Sequence, residues 1–72
     1  RALLVKGEVE EAVGSLRRAI QLAPDDANAH AELGKALSYR GDYAGALREL
    51  ERAVAIEPGH REAQGYLREL RR

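Results

Sequence analysis

Apolar residues recur at spacings of three and four along most of the chain. From residue 9 to residue 23 they fall at Val9, Ala12, Val13, Leu16, Ala19, Ile20 and Ala23, the period of a helix that buries one stripe and leaves the other wet. Pro24 stops the pattern because proline lacks the amide that a helix interior needs. Asp25 and Asp26 follow as carboxylates suited to capping the free amides of a new helix. The same reasoning predicts a helix over about residues 27–40, with Ala29, Leu33, Ala36 and Leu37 on one face. A break is expected at Gly41-Asp42, where glycine supplies a positive φ. A further helix over residues 43–56 carries Ala46, Leu47, Leu50, Ala53 and Val54 and closes at Pro58-Gly59, and a last one over about residues 60–71 carries Ala63, Leu67 and Leu70. Residues 1–6 read as the second half of an earlier helix, ended by Gly7 as Gly41 ends its own. Nowhere do apolar and polar residues alternate as a strand requires, and the short connections force consecutive helices to pack antiparallel.

The pattern is itself periodic. An offset of 34 residues carries Pro24 onto Pro58, and with it Ala2 onto Ala36, Leu3 onto Leu37, Gly7 onto Gly41, Ala12 onto Ala46, Leu16 onto Leu50, Ala19 onto Ala53, Ala29 onto Ala63 and Leu33 onto Leu67. Such a period marks a unit that cannot bury its apolar face alone and stacks on copies of itself. The expected fold is all-α: antiparallel helix-turn-helix repeats stacked as an α-α superhelix, a solenoid fragment with a C-terminal capping helix. Residues 1–26 form a partial repeat, 27–60 a complete repeat and 61–72 the capping helix of a single domain. With an apolar helical pattern already running at Arg1 and no initiator methionine, the chain reads as a segment of a longer protein.

Residues 27–60 resemble the tetratricopeptide repeat. That family's pattern of a large residue, Leu-Gly, an aromatic, Ala, a large apolar residue, Ala and Pro reads here as His30, Leu33-Gly34, Leu37, Ala46, Leu50, Ala53 and Pro58. Small residues at 34 and 46 would let the two helices of a hairpin approach closely, while Leu33, Leu37 and Leu50 fill the space between hairpins. His30 stands where Trp is common, and Leu37 and Leu50 replace common aromatics, so the core is expected to be aliphatic. Arg68 takes the position of Gly34 and Arg71 that of Leu37. Long charged side chains there argue against another helix packing on the last one and give a cap its polar outer face.

The resemblance implies a concave surface, lined by the first helix of each hairpin, along which partner peptides or helices lie. Carried across residue by residue, its positions are Arg1, Leu4 and Val5; then Asn28, Ala31, Glu32, Lys35, Ser38 and Tyr39; then Glu62, Gly65, Tyr66 and Glu69. Helical spacing also sets Asn28 through Tyr39 on a face distinct from Leu33, Ala36 and Leu37. Asn28, Glu32, Lys35, Ser38, Tyr39 and Tyr66 are the expected partner contacts: Asn28 and Lys35 as donors, Glu32 for a basic side chain, and Tyr39 as a flat surface with a polar tip. In chaperone-binding members of the family a Lys/Asn/Arg constellation holds the terminal carboxylate of a partner. The corresponding positions here read Arg1, Glu32, Glu62 and Tyr66, and two acids would repel such a carboxylate.

Composition narrows the function further. Twelve basic residues balance twelve acidic ones over 72 residues, so no net field draws the chain to nucleic acid or to an anionic membrane, and neither is an expected partner. Apolar runs are too short for a membrane span. Arg61, Arg68, Arg71 and Arg72 are read as solubilising the cap and complementing its helix terminus. Cysteine is absent, which rules out disulfides and thiolate metal sites and is compatible with a cytoplasmic setting. Among the hydroxyls, Ser15 is expected on the outer face of its helix with neither histidine near it in sequence. His30 and His60 with Asp26 or Glu57 match no zinc spacing, and His30 reads as a core-facing or groove-edge substitute for an aromatic. Asp25-Asp26 lacks the glycine-hinged acidic loop of a calcium site. No catalytic, metal or cofactor-binding residue is therefore assigned, and the chain is expected not to be an enzyme. The leading function is a protein-protein interaction module that binds a peptide or helix in the concave groove. The alternatives are a structural spacer or homo-oligomerising element, stacking through apolar Leu3, Leu4 and Val5, and a regulatory appendage of an enzyme that lies outside this segment.

Overall fold

The computed structural model describes residues 6–71. They form four helices, α1 (Lys6–Leu22), α2 (Ala27–Arg40), α3 (Tyr43–Ile56) and α4 (Arg61–Leu70), with no strand among the described residues. The expectations attached to Arg1, Leu3, Leu4, Val5 and Arg72 lie outside the described residues.

Each connection is closed by its own polar chemistry. At the end of α2, Gly41 takes φ 93°, a left-handed conformation that a side chain would strain. This turn lets the Gly41 amide donate to the Ser38 carbonyl (3.1 Å) and the Asp42 amide to the Leu37 carbonyl (2.9 Å), satisfying acceptors that the helix end leaves open. Asp42 then begins the next helix, its Oδ1 accepting from the Gly45 amide at 3.0 Å. Asp26 caps α2 by accepting from the Ala29 amide (3.2 Å), and His60 caps α4 through Nδ1, which accepts from the Ala63 amide (3.2 Å).

The two proline turns repeat bond for bond. Ala23 N–H donates to the Ala19 carbonyl and Glu57 N–H to that of Ala53; Asp26 N–H donates to Ala23 and His60 N–H to Glu57. Even the side chains correspond: His30 Nε2 donates to the Pro24 carbonyl at 2.9 Å, and Gln64 Nε2 donates to the Pro58 carbonyl.

One expected break is absent. Gly7 lies inside α1 and is right-handed, since Gly41 is the only glycine of positive φ among the described residues. The physical difference is the next residue. Asp42 is short enough to cap the amide three residues on, whereas Gly7 is followed by Glu8, whose longer side chain is a poorer cap.

α2 is the central helix, packed on α1 and α3 and touching α4, while α3 packs on α4 and no Cα of α1 comes within 8 Å of one in α3. Val9 and Val13 of α1 meet Leu33, Ala36, Leu37 and Ala46 in one apolar cluster. Ala31, Leu50, Ala53, Ala63 and Leu67 form the other. Between them α2 crosses α3 at Gly34, where a Cβ would lie 2.6 Å from Leu50 Cγ and 3.2 Å from the Ala46 carbonyl oxygen.

Gly34→Ala is expected to destabilise the fold by about 1–3 kcal/mol through overpacking and Leu50→Ala by about 2–5 kcal/mol through the cavity it leaves. Because the two share one space, the double variant should lose clearly less than their sum, as urea unfolding would show. Gly41→Ala should cost about 1–2 kcal/mol. Gly7→Ala, with nothing within 4 Å of the added Cβ, should instead stabilise by about 0.5–1 kcal/mol.

Candidate functional site

The core contacts of α2 on one side leave Glu32, Lys35, Ala36 and Tyr39 along another. These residues meet Glu8, Val9, Ala12 and Leu16 of α1 around a small cleft of about 150 Å³. Its walls are apolar, and its rim carries one acid and one base from α2 beside a tyrosine that is 58% exposed. Three of the expected contact residues, Glu32, Lys35 and Tyr39, thus come together.

The other three are placed differently. Ser38 is half-buried and its Oγ donates to the Lys35 carbonyl of its own helix at 2.8 Å. Asn28 is exposed, with Oδ1 2.7 Å from His60 Nε2. Since His60 Nδ1 already accepts from the Ala63 amide, the ring proton sits on Nε2 and Asn28 is the acceptor, which leaves its amide N–H groups available. Tyr66 lies on α4 against the cluster that includes Ala31 and Leu50, away from the cleft. Ala31 itself, expected along the groove, is only 2% exposed. It sits in the same cluster as Ala63 and Leu67, so the packing of α4 takes this position into the core. Glu62 and Glu69 are exposed and Gly65 is partly buried.

Glu8, Val9, Ala12 and Leu16 of α1 were not among the expected contact residues. Ala12 and Leu16 correspond in the repeat to Ala46 and Leu50, which are wholly buried, yet they are only partly covered. The repeat equivalent of the end of α2, the helix that seals Ala46 and Leu50, falls at residues 1–6, of which 1–5 lie outside the described residues.

The histidines are structural. His30 is buried between Glu49, whose Oε1 lies 2.8 Å from Nδ1, and the Pro24 carbonyl, so it is the core-facing replacement for an aromatic. No group of three or more His, Cys, Asp or Glu side chains gathers among the described residues in a way that could hold a metal ion. Ser15 is exposed on α1 as expected. No helix among the described residues is long and apolar enough to cross a membrane.

A family model described as TPR repeat matches residues 1–39, more than half of the chain, and one described as tetratricopeptide repeat matches residues 27–60. The chain belongs to the tetratricopeptide repeat family. It is 42% identical over 53 residues to tetratricopeptide repeat protein 36 of Mus musculus, covering 74% of this chain and 28% of that protein. To cellulose synthase operon protein C of Escherichia coli (strain K12) it is 37% identical over 57 residues, covering 79% of this chain and 5% of that protein. The chain therefore spans a small part of these relatives' length. Tetratricopeptide repeats are generally protein-protein interaction modules and are typically non-catalytic.

A binding face should tolerate change without loss of folding. Lys35→Glu is expected to shift stability by no more than about 0.5 kcal/mol. His60→Ala, which removes both the α4 cap and the tie to Asn28, should cost about 1–2 kcal/mol, with His60→Asn recovering the capping part. Thermal and urea unfolding of the three variants would check both statements.

Proposed function

We propose that this tetratricopeptide repeat segment is a non-catalytic interaction module that receives a peptide or helix along the concave face of α2. The observation that carries this reading is the apolar cleft with Glu32, Lys35 and Tyr39 at its rim. Its volume is comparable to the ~150 Å³ apolar cavity that admits a benzene ring, so it suits one apolar anchor side chain. Glu32 then pairs with a basic group, Lys35 with an acidic one or a backbone carbonyl, and Tyr39 covers the anchor with little rotamer entropy to lose. The free amide of Asn28 extends the track toward the start of α2. One shallow anchor implies weak binding by this segment alone, well below a standard interface.

The outer side of α4 supports reading residues 61–72 as a cap. Arg68 and Arg71 flank the cleft formed there with Val54, Pro58 and Leu67, and Arg71 folds back to Glu51 at 2.7 Å. A following helix would have to displace both guanidinium groups.

The test compares the wild-type chain with the combined change Glu32→Lys, Lys35→Glu, Tyr39→Ala as bait in a lysate, after circular dichroism has confirmed equal helicity. Partners retained by the wild type and lost from the variant are expected. An unchanged set, or recovery of the bait alone, would move the function to another surface or to self-assembly.

A further inference from the structure

On the side of α2 turned away from the cleft, the space between α1 and α3 is open. Both helices pack on α2, but their backbones stay more than 8 Å apart. A recess of about 520 Å³ lies between them, with Ile20, Leu33 and His30 in its lining. Arg17 from α1 and Arg48 and Arg52 from α3 stand around it. We propose that this recess is a second binding site, for an acidic peptide segment of a partner protein whose Asp or Glu carboxylates are held by Arg17, Arg48 and Arg52.

The charge arrangement argues for it. In a chain of zero net charge, three arginines line this recess with one acid, Glu49, and that carboxylate is already engaged by His30 at 2.8 Å. The arginine ion pairs among the described residues are Arg40 with Glu10 and Arg71 with Glu51. Arg17, Arg48 and Arg52 are exposed and make none. Arg48 and Arg52 also lie four residues apart on one helix, a like-charge spacing that weakly disfavours the helix unless an anion joins them. Guanidinium forks match carboxylates in planar, bidentate geometry, and the half-buried Ile20 offers an apolar contact for the residue between two acids.

The test is a titration of the isotopically labelled 72-residue chain, followed by backbone amide and arginine Nε–H resonances. The probe is the blocked pentapeptide Glu-Glu-Leu-Glu-Glu; its Gln-Gln-Leu-Gln-Gln counterpart and inorganic phosphate serve as comparisons. Saturating shifts are expected around Arg17, Arg48 and Arg52, weakening as salt is raised. Affinity should fall about tenfold in Arg48→Glu/Arg52→Glu and measurably in the milder Arg17→Gln, which samples the other helix. Arg61→Gln, at an exposed arginine outside both openings, should leave it unchanged. The proposal is overturned by absence of saturation, by equal binding of the glutamine peptide, by shifts centred on the Glu32–Tyr39 face, or by phosphate binding more tightly than the acidic peptide.

Discussion

The fold depends on the approach of α2 to α3 at Gly34. There the Leu50 side chain and the Ala46 carbonyl occupy the space that any Cβ would need, and both Ala46 and Leu50 are wholly buried. Close-packed interiors tolerate neither a void nor an extra methyl group at such a point. The contact fixes the rotation of α2 about its own axis. That rotation sends Leu33 and Leu37 into the core with α1, Ala31 into the core with α4, and Glu32, Lys35 and Tyr39 to the surface. Both candidate binding faces are consequences of one glycine opposite one leucine.

The proline turns supply the second constraint. A carbonyl beside a chain reversal must find a donor, and in both units it finds a side chain six residues on: His30 for Pro24 and Gln64 for Pro58. In the family resemblance this is the place of a large aromatic. Here a polar side chain holds the turn to the following helix by a hydrogen bond. His30 does more, since its other nitrogen reaches Glu49 on α3 and so ties three consecutive elements together. His60 works similarly at the next level, capping α4 while bonding to Asn28 at the start of α2. An aliphatic core of small residues is thereby supplemented at its edges by buried imidazoles whose partners are all provided.

Helix positions were legible in the sequence because their signals are local: Pro24, Asp26, Gly41, Asp42 and Pro58 each act within four residues. The close approach at Gly34 and Ala46 was legible through the family resemblance, whereas Leu50, expected to fill the space between hairpins, packs against Gly34 within one. Gly7 misled because register equates it with Gly41, whereas a turn also requires a capping residue after it, and Glu8 is not Asp42. Ala31 misled because three-and-four spacing describes one helix, and only the seat of α4 decides that an alanine beside Glu32 is covered. The Asn28–His60 bond spans 32 residues and leaves no trace in periodicity. The arginines around the α1–α3 recess were invisible for the same reason: Arg17 and Arg48 become neighbours only once two helices are laid on a third.

Zero net charge shows that no long-range field steers partners to this chain, but it does not make its surface uniform. The cleft beside Tyr39 mixes two acids, Glu8 and Glu32, one base and an aromatic ring over an apolar floor, a combination suited to shape and an anchor residue. The recess on the other side of α2 has an excess of guanidinium groups and rewards charge. Ligands of these two kinds would meet α2 on different sides. A partner that reached both faces would gain more from two weak contacts than from either alone, because the second contact would form at the high effective concentration that the first imposes.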